Sequence, residues 1–102
     1  MRIYKVRVHP SADEDIAELT DFLFEKMSRE GGNRYLDAMG EEMRSLALFA
    51  DCFAESRSKT VRNIHPRARR MVSHNHKWCY VFHIEGDTVV IDRVLKSTMI
   101  TQ

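Results

Sequence analysis

The stretch Trp78-Cys-Tyr-Val-Phe-His-Ile-Glu85-Gly86-Asp87-Thr88-Val-Val-Ile-Asp-Arg93-Val94-Leu95 decides the fold. Two runs of aromatic and β-branched residues flank a short link, Glu85-Gly86-Asp87, which is the signature of a β-hairpin. In the first run Trp78, Tyr80, Phe82 and Ile84 share one face, while Cys79 and Val81 keep the other partly apolar. Strands that are apolar on both faces belong in the middle of a sheet. Upstream, Ala68 to Ser73 reads as a short basic strand, His74-Asn75-His76 as a turn and Lys77 to Glu85 as a long strand. Thr88 to Leu95 closes the sheet, so residues 68–95 are predicted to form a three-stranded antiparallel meander.

Before this meander the apolar period is helical. Ala12, Ile16, Leu19 and Leu23 recur at steps of four, three and four and predict a helix over residues 11–28. Pro10 suits its first position, Ser11-Ala-Asp-Glu14 reads as a capping box, and Asp13, Glu14 and Asp15 favour the positive end of the dipole. Gly31-Gly32 is expected to break that helix and Asn33 to cap the next. Leu36, Met39, Met43, Leu46 and Ala50 then predict a second helix over residues 33–50, its stripe widened by Tyr35 and Phe49. Gly40 within it suits either a close helix approach or an exposed, tolerated position. Arg2 to Val8 alternates, with Tyr4, Val6 and Val8 on one face, and reads as a half-buried strand. Residues 51–66 have no clear period and read as a connection with at most one short turn. The expected fold is α+β: a strand, a two-helix antiparallel hairpin and the meander, with the helices packed on one twisted sheet. Residues 1–102 make a single domain.

At 102 residues, 43% of them hydrophobic, the chain can build one core without metal or disulfide staples. Its apolar runs are too short to span a bilayer, and Met1-Arg2-Ile3-Tyr4-Lys5 lacks the apolar core of a signal peptide. Cys52 and Cys79 read as unpaired thiols in a reducing cytoplasm. Net charge is +1, but residues 13–55 hold twelve acids against four bases. From Ser56 to Ile84 there is no acid, while Arg57, Lys59, Arg62, Arg67, Arg69, Arg70 and Lys77 are all cationic. Either the strand-forming half presents a basic face, or the acidic helices neutralise it by docking on it.

The motifs for common chemistries are missing. His74 and His76 sit at a turn with no Cys, Asp or Glu nearby to complete a metal shell. Cys79 and His83 lie four residues apart on a strand, roughly 13 Å, too far for proton transfer. There is no phosphate loop, dinucleotide-binding glycine pattern or carboxylate pair. No cofactor or metal is expected. The basic window is what remains: Arg67, Arg69 and Arg70 can supply cations beside a phosphate, and His65, His74, His76 or His83 can titrate near neutrality. Trp78 and Tyr80 within it can serve nucleic-acid binding, but their alternation favours the core.

The order of these pieces resembles the RelE/ParE superfamily of bacterial toxin–antitoxin toxins over nearly the full length. His9-Pro10-Ser-Ala12, Asp15-Ile16-Ala-Glu-Leu19 and Phe22-Leu23 look like the family's first helix, and Tyr35-Leu36 through Leu46 its second. Arg69-Arg70-Met71-Val72, His76-Lys77-Trp78-Cys-Tyr-Val-Phe82 and Val89-Val90-Ile91-Asp-Arg93-Val94-Leu95 look like its C-terminal sheet. The chain departs from the pattern at His83, where members often carry Tyr, and at Asp92, where they carry an apolar residue. Leu95-Lys96-Ser97-Thr98 replaces a Leu-His-Ser-Arg type ending. Alignment with the family's ribosome-dependent ribonucleases puts Cys79 and Ser97 at two arginine positions. The tail Met99-Ile100-Thr101-Gln102 offers no aromatic or titratable group.

The resemblance therefore implies the ParE-like branch (plasmid stabilisation proteins), a toxin that inhibits growth by binding DNA gyrase and is neutralised by a cognate antitoxin. Residues expected to meet target or antitoxin are Arg67, Arg69, Arg70, Lys77, Arg93 and Lys96; no catalytic residue is identified. The alternative for Arg93 is an ion pair with a helical carboxylate such as Glu18 or Glu42. The rival functions are a metal-independent, ribosome-dependent mRNA interferase and a degenerate, non-toxic member. A homodimer is left open.

Overall fold

The computed structural model describes residues 2–100. Strand β1 (Lys5–Val8) leads into helices α1 (Pro10–Lys26) and α2 (Arg29–Phe49), a 3-10 turn (Ala50–Cys52) and a short helix α3 (Lys59–Ile64). Strands β2 (Arg69–Val72), β3 (Trp78–Glu85) and β4 (Thr88–Lys96) follow, then a second 3-10 turn (Ser97–Met99). The sheet order is β1-β4-β3-β2, with β1 parallel to β4 and the other pairs antiparallel. The meander and the central place of β3 and β4 are as the sequence predicts. Glu85 pairs with Thr88, leaving Gly86-Asp87 as a two-residue turn, and Gly86 supplies the φ of +62° that a side chain would resist.

Each face of the sheet carries its own apolar cluster. Leu19 and Leu23 of α1 and Met39 and Leu46 of α2 pack on Tyr80, Phe82, Val89, Ile91 and Val94. On the other face Val61 and Ile64 of α3 cover Ala68, Val81 and Leu95. The connection predicted over residues 51–66 thus holds two structured pieces. Ser58 caps α3 by accepting from the Val61 amide, but the helix is six residues long, too short for periodicity to reveal.

Three local expectations fail for identifiable reasons. The helices part at Met27-Ser28 rather than at Gly31-Gly32, because the Ser28 hydroxyl accepts the Gly31 amide at 3.1 Å and both glycines fall inside α2. A Cβ on Gly32 would lie 2.7 Å from the Phe24 ring, so this glycine permits close approach to α1 instead of breaking a helix. The cap of α1 is His9, whose Nδ1 accepts the Ser11 amide, and not the Ser11–Glu14 box. Phe49 does not widen the core stripe; it is half exposed. Gly40 is partly buried, and a Cβ there would meet only the Arg44 guanidinium one turn along its own helix, so it serves no close helix approach.

β1 ends beside Ile91, and the remainder of β4 has no strand on that side. A bulge also interrupts β4: Phe82 pairs with Ile91 and Val81 with Arg93, so Asp92 is an extra residue.

Candidate functional site

Arg93 is held by α1. Its Nε and Nη2 donate to the two Asp15 carboxylate oxygens at 2.7 and 2.9 Å, and the Val94 amide donates to the same carboxylate at 2.9 Å. Asp15 therefore satisfies the strand edge that β1 leaves open, and it holds the guanidinium above its already high pKa. The partner is a helical carboxylate, as the alternative reading has it, but Asp15 rather than Glu18 or Glu42.

Arg69 is half-buried and donates to the Phe53 carbonyl at 2.8 Å and the Ala50 carbonyl at 3.5 Å, closing the end of α2 and its 3-10 turn. Arg67 pairs with Glu55 at 3.1 Å on an exposed flank. The remaining members of the predicted set, Arg70, Lys77 and Lys96, make no side-chain hydrogen bond or ion pair with the described residues. Of the six, only Arg93, which lies beyond the basic window, is neutralised by an acidic helix; Arg69 bonds to carbonyls and Arg67 to Glu55 of the connection. Lys77 and Lys96 lie close together, since the Ser97 amide donates to the Lys77 carbonyl and Trp78 pairs with Lys96.

Beside Lys96, Asp15, Glu18, Leu19, Phe22, Trp78, Arg93 and Met99 line a groove of about 280 Å³ between α1 and the end of β4. Phe22 and Met99 are exposed large apolar side chains on its rim. Trp78 belongs to the core side of β3, where its Nε1 donates to the Tyr35 hydroxyl at 2.6 Å. Tyr80 is fully buried and donates to Glu42 at 2.8 Å; burial and that carboxylate push its phenol well above the usual range. Neither aromatic is presented as a stacking platform for a base.

The positions that depart from the RelE/ParE pattern meet in pairs. Cys79 Sγ and Ser97 Oγ lie 3.9 Å apart, so the two aligned arginine positions of the nucleases are neighbours here and carry no charge. His83 Nδ1 lies 2.6 Å from Asp92 Oδ2, and its Nε2 lies 3.3 Å from Glu85. The His65 ring stacks on His83, centroids 3.7 Å apart and planes within 1°. His65 Nδ1 accepts the Arg67 amide, which puts its proton on Nε2. The sequence named His65 and His83 only as separate titratable groups; nothing in their spacing shows that α3 brings them face to face. The last two residues of the tail, Thr101 and Gln102, lie outside the described residues.

No protein-family model and no curated protein matches this sequence. Among solved structures, it superposes on a chain of the chromosomal ParDE TA (toxin–antitoxin) system from P. aeruginosa with a TM-score of 0.77. The match covers 92% of this chain and 96% of that one, at 16% sequence identity. The fold is the one seen in that ParDE chain. Within this fold Arg69 and Arg93 bond to the backbone and to Asp15, Arg67 pairs with Glu55 at the surface, and Arg70, Lys77 and Lys96 have no such partner among the described residues.

Proposed function

We propose that this chain is the toxin of a type II toxin–antitoxin pair, that it acts by binding an essential target, and that a cognate antitoxin neutralises it. The observation that carries this reading is the superposition on a chain of the ParDE system over nearly the whole of both chains. DNA gyrase is the target the resemblance implies.

The local chemistry supports binding over cleavage. Metal-free RNA cleavage needs cations at the scissile phosphate and a positioned proton donor and acceptor. Cys79 and Ser97 stand where the nucleases carry arginine, while Arg69 and Arg93 are committed to carbonyls and to Asp15. Losing one charge-stabilising group costs about 10²–10³ in rate. For the antitoxin, the groove between α1 and β4 has apolar walls from Leu19, Phe22 and Trp78. It carries both charges, Glu18 and the Arg93-paired Asp15 as well as Lys96, with Lys77 nearby. This suits an amphipathic segment whose acids reach the two lysines.

Induced expression should arrest growth, and the product of the neighbouring small gene should relieve the arrest. On one purified preparation, gyrase supercoiling should be inhibited while ribosome-programmed mRNA stays intact. Codon-positioned cleavage at enzymatic rates would reject the binding mechanism and favour the interferase. Silence in both assays, with no growth effect, would favour a non-toxic member.

A further inference from the structure

A second polar cavity lies on the opposite edge of the sheet from the groove, at β2. Cys52, Phe53, Ala54, Ser56, Arg57, Ser58 and Arg70 line about 330 Å³ there. The wall formed by residues 54–58 is tied to the strand: the Ser56 amide donates to the Ala68 carbonyl at 2.8 Å, and Glu55 bridges to Arg69 in antiparallel fashion. This segment holds Arg57 on the same cavity as Arg70.

Two features of this cavity call for an anion. Arg70 is half-buried, yet neither it nor Arg57 has a hydrogen bond or ion pair with the described residues. A partly desolvated guanidinium without a partner is an unfavourable arrangement that a bound anion relieves. Moreover, no carboxylate among the described residues lines the cavity. The nearest candidate in sequence, Glu55, is committed to Arg67 through two hydrogen bonds at 3.1 and 3.3 Å. Ser56 adds a hydroxyl whose oxygen already accepts the Ser58 amide at 3.1 Å, which leaves its hydrogen to donate.

We propose that the Arg57–Arg70 cavity binds a phosphoryl group, either as free phosphate or carried by a small phosphomonoester. Two guanidinium forks match the oxygens and the charge of about −1.5 to −2 that a phosphomonoester carries at neutral pH. A single carboxylate would neutralise only one of the cations. The cavity sits at the small end of the ~300–1,000 Å³ range of ligand pockets, which suits a phosphoryl group with a compact body. Phe53 supplies an apolar wall for that body, fixed edge-on against Phe82 with ring centroids 6.0 Å apart. The proposal shares Arg70 with the residues expected to meet target or antitoxin, but neither the groove nor Lys77 and Lys96 take part in it.

The test is an amide chemical-shift titration of the full chain at constant ionic strength, using inorganic phosphate, glycerol phosphate and a nucleoside monophosphate in separate arms. Saturable shifts confined to residues 52–58 and 70 are expected. Arg57→Ala and Arg70→Ala should each weaken binding by about tenfold or more, the loss of one charge-assisted hydrogen-bonded contact. Arg70→Lys should fall between wild type and Arg70→Ala. Arg57 is exposed, so Arg57→Ala keeps the test valid should Arg70→Ala unfold the chain. Tighter binding of either ester than of phosphate identifies the carried form, and equal binding identifies the free anion. Acetate binding as well as phosphate would overturn the proposal. So would shifts that fail to saturate, that spread to Lys77 and Lys96, or that survive both alanine substitutions.

Discussion

His83 and Asp92 meet across β3 and β4, imidazole Nδ1 to carboxylate Oδ2, at 2.6 Å, and both side chains are almost wholly buried. Each is a departure from the RelE/ParE sequence pattern, and together they form one interaction. Val90 pairs with His83, and Asp92, two residues along β4, shares its face, so the carboxylate lies on the His83 side of the sheet. Polar groups at this depth are tolerated as a satisfied pair and penalised singly. Asp92→Ala should therefore destabilise the fold by about 1–3 kcal/mol. His83→Phe combined with Asp92→Val should cost less than the sum of the single changes. Chemical denaturation of the four proteins of this cycle gives the coupling directly; strict additivity would mean that the contact contributes nothing.

The stacking of His65 on His83 makes α3 sensitive to the same pair. His65 follows α3, and its ring lies parallel to that of His83. His65→Ala removes the stack and the acceptor for the Arg67 amide, and it should raise hydrogen exchange in residues 59–64 before it affects β3 and β4. Uniform loss of protection across the sheet would show that α3 is not a separable unit.

Legibility in the sequence followed the length of the repeating pattern. The stripes Ala12–Leu23 and Leu36–Leu46 and the alternation Trp78–Ile84 each run through several repeats, and all three became the elements they announced. The failures have two causes. Where two residues competed for a boundary, side-chain capping decided: Ser28 outranked the glycines and His9 outranked Ser11. Where one element contributed a single residue, no pattern existed: the Asp15–Arg93 pair spans 78 positions and the His65–His83 stack joins a six-residue helix to a central strand. The basic window was visible in composition, but its division into engaged and free cations depends on where Asp15, Glu55 and the Phe53 carbonyl come to rest.

Gly40 is a position where stability can be gained. An added Cβ meets only the Arg44 guanidinium, 3.3 Å away, which is the flexible end of a side chain on the same helix. Gly40→Ala should raise stability by about 0.5–1 kcal/mol through helix propensity and reduced freedom of the unfolded chain. Gly32→Ala should gain less or lose, because the Phe24 ring must move aside. Paired thermal melts rank the two, and a larger gain at Gly32 would contradict the close approach of α1 and α2.

Tyr80 ties stability to alkaline pH. Burial and Glu42 raise its phenol far above the ordinary value of 10.0, so the folded chain keeps the proton that the unfolded chain releases. Its contribution is fully present below pH ~10 and declines as the pH rises beyond it. In a spectrophotometric titration Tyr80 should ionise only with unfolding, and Tyr80→Phe should flatten the fall in stability above pH ~10. A tyrosinate signal from Tyr80 in the intact fold would refute this.

The engaged and free cations should separate in a single experiment. Arg93 and Arg69 bond to Asp15 and to backbone carbonyls, so Arg93→Ala and Arg69→Ala should each lower stability by about 1–3 kcal/mol. Any loss of growth inhibition in these variants should track the fall in folded protein. Lys77 and Lys96 are exposed and have no side-chain partner among the described residues, so Lys77→Ala with Lys96→Ala should leave the unfolding midpoint unchanged. If an acidic antitoxin segment docks there, the double variant should associate more slowly and show a weaker dependence on salt. An unchanged association rate and salt dependence would move the antitoxin to another face. Loss of association in Arg93→Ala at full stability would instead make Arg93 a contact residue, with Asp15 serving to orient it.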